Sequence, residues 1–492
     1  MRAPVIALFL LLALTSNSRL LDNSASQTLW RQDNAVPINW NQYHDYEDLT
    51  RILLELNRTR NHVARVFSVG KSFLGRDIWG VRLTDNSATF AKKEILVVGY
   101  HHAREVISAE TPLYLVDYLA RNFGSNSTIT ELLRHCIIYV VVAVNVDGLA
   151  MFRDNPWQRK SLRPIDDDGD GLQDEDQVMD MDGDGAIGEW TKMVRLGKDE
   201  WSLVARGLEG RDVDGDGPDL DVCSDLPGGV DLNRNYDYFW NDSSVESGSS
   251  SPASDVYGGA SAFSEPETRA LRDFTQRHLF EAAVSFHSGA SIILYPWSHS
   301  KIPSAHDFTF RTIAAKLSRI TGYRNLQAGE MYKMSGEWKD WMYGSFGTYA
   351  FTIELYGNSQ AYNRRTTSYD TAAGIWTGWT TGIFEAFNPP PEKIRDTVSK
   401  GTEAVIALAQ YPDLHIELMK TIALIYVISS AVLVPVIFLI RSKRRLDIQK
   451  KMLCIVSICR DTIIEGASEI SNNHQMIWNL TACIHLRFYR PA

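Results

Sequence analysis

The sequence predicts an α/β fold with helices on both faces of a sheet, and three observations lead to it. Strand-like and helix-like patterns alternate from about residue 39 to residue 411, the rhythm of layered α/β domains. Residues 136–144 are apolar at nearly every position, as a strand covered on both faces must be. Three strand-like runs end on a histidine or an acid, the level at which open α/β sheets gather ligands.

The elements follow in chain order. Residues 46–60 carry Leu49, Ile52, Leu53 and Leu56 at helical spacing, and residues 94–100 form a short apolar run ending in Gly99-Tyr100. Residues 105–122 are again helical, with Leu113, Leu115, Val116 and Leu119. After the strand at 136–144, further strands are expected at 282–286, 291–295 and 349–353. Helices are expected at 265–279, 308–320, 371–387 and 391–410.

Residues 161–227 break the rhythm. They hold 20 acidic against 6 basic side chains, a balance of -14 in a chain whose net charge is -10. So uneven an acidic distribution gives no footprint for nucleic acid. Three runs place Asp at alternate positions before Gly: Asp166, Asp168, Asp170; Asp180, Asp182, Asp184; and Asp212, Asp214, Asp216. That is the first half of a calcium loop. The acid expected at the twelfth position is replaced by Gln177, Thr191 and Cys223, so closure falls to Asp174, Glu175, Glu189, Asp219 or Asp221. Repetition of one ligand spacing favours calcium over a merely solvated acidic loop.

Two hydrophobic runs predict the compartment. Residues 1–18 have the pattern of a secretory signal peptide. Residues 422–440 contain no charge and are followed by Arg441, Lys443, Arg444 and Arg445, which predicts one membrane span with residues 441–492 cytoplasmic. The bulk of the chain is then luminal or extracellular. Asn57, Asn126 and Asn241 lie in luminal glycosylation sequons. Cys136 and Cys223 are either one disulfide or, for Cys136, a buried thiol.

The chemistry lies at the strand ends. The first run leads into His101-His102-Ala103-Arg104-Glu105, the second ends at His287-Ser288 and the third at Glu354. Two His and one Glu leave one position open on a tetrahedral zinc, the pattern of a catalytic site, and a further Glu nearby can take a proton from water. Each piece alone is commonplace; their joint placement is not.

With these stretches the chain resembles the zinc metallocarboxypeptidases related to pancreatic carboxypeptidase A. Gly99 to Glu105 resembles their zinc-binding stretch, and further matches come in the family's order. These are Asn145-Val146-Asp147-Gly148, Trp157-Gln158-Arg159-Lys160, Val230-Asp231-Leu232-Asn233-Arg234-Asn235, Phe263-Ser264-Glu265-Pro266-Glu267-Thr268, His287-Ser288 and Phe351-Thr352-Ile353-Glu354-Leu355. The resemblance implies a mixed, mainly parallel twisted sheet and a catalytic domain over 39–411, interrupted by the acidic insertion. It implies that His102, Glu105 and His287 hold zinc and that Glu354 is the general base. His101 rivals His102, but only His102 has a Glu three residues on. It further implies that Arg159 stabilises the oxyanion, that Asn233, Arg234 and Tyr332 hold the substrate's terminal carboxylate, and that Arg104 lines the next subsite. Asp231 and Ser288 would support the ligands.

The departures are the insertion, no apparent inhibitory propeptide and no β-sandwich after the catalytic domain. Activation by propeptide cleavage is therefore not expected. Lys339 aligns with the floor of the pocket for the residue removed, which predicts a preference for C-terminal Glu or Asp. The competing expectation is a catalytically silent, calcium-binding cell-surface protein on the same scaffold. Retention of every motif position above favours an enzyme acting on peptide or protein C-termini.

Overall fold

The computed structural model describes residues 38–411, apart from 167–170, 172, 174–186, 188, 196–200, 209–228, 246, 253, 362 and 371–374. The expected signal segment, membrane span and tail lie outside the described residues, as do Cys223 and every loop aspartate except Asp166. Among the described residues no helix is long and apolar enough to cross a membrane.

The strands are β1 (Ala64–Lys71), β2 (Asp77–Leu83), β3 (Lys93–Gly99), β4 (Cys136–Val141), β5 (Glu189–Arg195) and β6 (Trp201–Leu208). They continue with β7 (Phe280–His287), β8 (Ala290–Tyr295), β9 (Arg324–Gln327), β10 (Tyr349–Tyr356), β11 (Asn363–Asp370) and β12 (Ile375–Thr381). The helices are α1 (Tyr46–Thr59), α2 (Ile107–Asn122), α3 (Ser127–His135), α4 (Val146–Met151), α5 (Pro266–Thr275) and α6 (Asp307–Thr321). The last four are α7 (Ala328–Met331), α8 (Trp338–Phe346), α9 (Ile383–Phe387) and α10 (Pro391–Ala409).

Eight strands form the main sheet in the order β1-β2-β4-β3-β7-β10-β8-β9. Its centre is parallel, with β3 between β4 and β7 and β7 beside β10. Antiparallel pairings of β1 with β2, β2 with β4 and β10 with β8 make the sheet mixed. Ile95, Leu96, Val97 and Val98 are all fully buried, so the central strand is apolar on both sides, as its unbroken hydrophobic run requires.

Side-chain alternation puts helices on opposite faces. A Cβ on Gly401 of α10 would lie 2.5 Å from Thr111 of α2 and 3.2 Å from Phe286 of β7, so these two helices cover the Phe286 face. Ser285, one residue earlier, points the other way and meets His101, whose ring lies 6.4 Å from Trp338 of α8. The register carries the site: Gly99 pairs with Phe286 and Glu354 with His287. Three parallel strands therefore end at one level.

Two expectations are corrected. Residues 371–387 were expected to be helical, but Ile375–Thr381 is strand β12 and only Ile383–Phe387 is helix. Ile, Trp and Thr dominate 375–381, and such residues favour a pleated surface once a partner strand exists. That partner lies in the acidic insertion, which is more than a loop. β5 and β6 pair with each other, and β5 pairs with β12, in a second sheet ordered β11-β12-β5-β6.

Asp166 Oδ2 accepts the Gly171 amide at 3.1 Å. Among the described residues Cys136 has no disulfide partner and is buried. Of the three sequons Asn241 is exposed, whereas Asn57 and Asn126 accept the Val66 and Ile129 amides.

Candidate active site

The chain turns sharply at the end of β3, and the turn aims the next five residues into the site. A Cβ at Gly99 would lie 2.2 Å from the Ser108 carbonyl oxygen, so only glycine fits beside α2. Tyr100 then takes φ +58°, a left-handed conformation costly for a bulky side chain. Its hydroxyl donates to the Ala103 carbonyl, and its own carbonyl accepts the Asn145 amide at 2.9 Å. The turn so pinned carries His102 and Glu105 toward the ends of β7 and β10.

His102, Glu105 and His287 are buried, and one donor atom from each lies within 4.8 Å of the others. His102 Nδ1 is 2.7 Å from Glu105 Oε1, His287 Nδ1 is 3.1 Å from Glu105 Oε2, and the two Nδ1 atoms are 3.3 Å apart. Donors of a tetrahedral zinc at ordinary bond lengths stand about 3.3 Å apart, so the set fits that ion. The outer contacts agree. His102 Nε2 faces Asp231 Oδ1 at 3.1 Å, leaving Nδ1 as the lone-pair donor, and the Ser288 amide donates to Glu105 at 3.0 Å.

Electrostatics favour the metal-binding form of Glu105 and of His287. Burial favours a neutral Glu105, but the charge and hydrogen bonds of His102 and His287 hold its carboxyl well below the usual range. Burial holds His287 toward its neutral form. Asp231, likewise opposed by burial, is held ionised by Arg159 and His102.

Around these donors lies a cavity of about 270 Å³ lined by Arg104, Arg159, Asn233, Arg234, Tyr332 and Glu354, among others. Glu354 Oε2 is buried and without a hydrogen-bond partner among the described residues. Burial and the neighbouring Glu105 push the Glu354 carboxyl well up. Arg159 donates twice to Asp231 Oδ2, at 3.1 and 2.8 Å. Arg234 is fixed by Ser247 Oγ at 2.9 Å and by the Asn233 carbonyl at 2.8 Å, while Tyr332 stands 37% exposed at the rim. Arg104 stacks 4.6 Å over Phe387 and pairs with Asp255 at 3.5 Å.

His101 does not join the metal donors. Its ring stacks on His287 at 5.3 Å and its Nε2 meets Tyr236 Oη at 2.9 Å. Lys339 is wholly buried and does not line the cavity; its ammonium donates to Glu337 Oε2 at 2.8 Å. Sequence reasoning passed over Glu337, Asp255 and Phe387. For Glu337 a signal existed, an acid one residue before α8, where its side chain caps the helix by accepting the Asp340 amide at 3.3 Å.

Comparison with known proteins bears on the family and the fold. A family model described as zinc carboxypeptidase matches residues 49–404. Carboxypeptidase A6 of Mus musculus is 26% identical over 345 residues, which cover 68% of this chain and 65% of that protein. Carboxypeptidase B of Astacus astacus is 28% identical over 330 residues, 65% of this chain and 88% of the relative. The chain thus spans just under two thirds of the Mus musculus relative's length. The crystal structure of carboxypeptidase A from Helicoverpa armigera superposes with a TM-score of 0.54 at 20% identity, covering 77% of this chain and 78% of that one. At that identity the likeness is one of fold.

Proposed function

The chain belongs to the zinc carboxypeptidase family, and from that premise we propose that it removes single residues from the C-termini of peptides or proteins. The observation that carries this is one cavity in which the His102, Glu105 and His287 donors, the orphaned Glu354 oxygen and three arginines meet. Three arginines around so small a space ask for an anion, and a terminal carboxylate is the one a peptide offers.

The residues divide the work by position. Asn233 and Arg234 grip the terminal carboxylate, and Tyr332 closes over it from the rim. Arg159, held rigid by Asp231, faces the negative charge that develops on the scissile carbonyl oxygen. A prepositioned cation in a dry site is worth several kcal/mol, roughly 3. Glu354 takes a proton from the attacking water and passes it to the departing amine. Zinc, when bound by His102, Glu105 and His287, supplies Lewis acidity. Arg104, between Phe387 and Asp255, lines the path of the preceding residue.

Peptide hydrolysis by the wild-type chain should disappear with a zinc chelator and return on adding zinc. In Glu354→Gln, kcat should fall by about a hundredfold or more, with zinc content unchanged. Equal rates in the variant and wild type would refute the assigned base.

A preference for acidic termini requires the Lys339 ammonium to be free for the substrate. Its pair with Glu337 at 2.8 Å argues for an uncharged terminal side chain instead. Calcium at the aspartate runs, and a membrane anchor with the catalytic domain outside the cytosol, are further parts of the proposal. They are supported by the repeated ligand spacing and by the apolar run at 422–440. Absence of heat on calcium titration, or release of the full chain by alkaline carbonate washing, would refute them in turn.

A further inference from the structure

Part of the cavity lining forms a recess in which Leu294 packs with Met334 and pairs with Thr352, the partner of Glu337. Leu294 and Met334 give it apolar walls, and Thr352 and Glu337 bring polar atoms to it. Glu337 is almost entirely buried. Its Oε1 accepts the Thr352 hydroxyl at 3.2 Å, and its Oε2 accepts Ser298 Oγ at 3.1 Å and Lys339 Nζ at 2.8 Å. Four donors, counting the Asp340 amide, fix it in one orientation. Lys339 stands behind it, away from the cavity, with Ser298 Oγ as its other close partner.

The Asp340 carboxylate beside this pair is engaged elsewhere, and Glu354, in the same cavity lining, lies close enough to feel both charges. Asp340 Oδ1 lies 3.7 Å from Lys339 Nζ, but its carboxylate accepts the Ser298 amide at 2.8 and 2.9 Å and His299 Nδ1 at 2.8 Å. A substrate side chain in the recess therefore meets a carboxylate whose charge is already matched by the lysine behind it. An acidic side chain would meet Glu337 first and be repelled. A basic one would have to compete with Lys339 for the same oxygen. Either leaves a buried charge short of a partner, which is costly.

We infer that Glu337 sets which residue is removed: it is a built-in counter-ion that occupies the place an acidic substrate side chain would take against Lys339. The recess thereby accepts uncharged terminal residues. This rests on the carboxypeptidase reading and adds to it the residue that selects the substrate. Lys339 without Glu337 would be an acid-selecting pocket.

The test compares kcat/KM for matched peptides ending in Leu, Glu and Lys in wild type, Glu337→Gln and Lys339→Met. Each preparation is read as a ratio of substrates, so a partly folded variant still gives an answer. The wild type should favour Leu over both charged ends. Glu337→Gln should raise the Glu-to-Leu ratio by about tenfold or more, since a charge mismatch removed from a buried site is worth at least that. Lys339→Met should raise the Lys-to-Leu ratio. A wild type that already prefers Glu, or a Glu-to-Leu ratio unmoved by Glu337→Gln, overturns the inference. If the wild type cleaves no peptide, the carboxypeptidase reading fails separately. The same ratios, read as affinities for N-acetyl-leucine and N-acetyl-glutamate, then decide the role of Glu337.

Discussion

Burial of Glu267 in α5 pushes its carboxyl up to about 7, against the pull of the Phe73 amide that it accepts at 2.8 Å. Its other oxygen is buried without a partner among the described residues. The unfolded chain releases this proton near 4.5, whereas the folded one keeps it to about 7. Stability contributed by the protonated form is thus fully present below the lower value. It falls as pH rises through the window and is flat above it, a loss of about 3 kcal/mol at most. Glu267→Gln keeps an acceptor for Phe73 and removes the proton. Denaturant unfolding between about pH 5 and pH 7 should show a smaller loss of stability in the variant than in the wild type. An unchanged difference would mean that Glu267 is ionised in the fold. At this scale the sequence was legible where chemistry is contiguous. His102 and Glu105 are three residues apart on one turn, and that spacing already pairs them. Glu337 and Asp255 could not be found the same way. Asp255 becomes a counter-ion only when the distant segment carrying Arg104 packs against it, and Glu337, although two residues from its partner Lys339, is oriented only when the segments carrying Ser298 and Thr352 do so.

Among the elements, those whose apolar spacing is self-sufficient were readable. α1 buries Leu49, Ile52, Leu53 and Leu56, and α2, α6 and α10 lie close to where their periodicity places them. β1 and β2 were not anticipated, because β1 is half exposed and its pattern of Arg65, Ser68 and Lys71 reads as surface. β11 and β12 depend on β5 in the insertion, a partner far away in sequence. Propensity near residue 375 cannot choose between helix and strand until that partner is present. The contact between α10 and α2 is tight enough to be tested directly. A side chain at Gly401 would press on Thr111 at 2.5 Å and on Leu355 at 2.9 Å. Gly401→Val should therefore destabilise the protein by about 1–3 kcal/mol through overpacking, measured by thermal or denaturant unfolding. A neutral effect would show that the two helices have room between them for a larger side chain.

For the whole molecule, the decisive fact is that β3, β7 and β10 run parallel and end at one level. That single topological feature gathers the metal donors, from separate stretches of chain, beside Glu354. The strand ends were readable as places for ligands, but their convergence required the strand order. On the proposed function, the arginines that line the cavity make its hydrolytic centre one that expects a free carboxylate. The most direct measurement is therefore mass spectrometry of a peptide incubated with the zinc-loaded chain, once with a free C-terminal carboxylate and once with a C-terminal amide. The account predicts stepwise loss of single terminal residues from the free acid, and little or none from the amide. Cleavage within the peptide, or equal trimming of the amide, would contradict it.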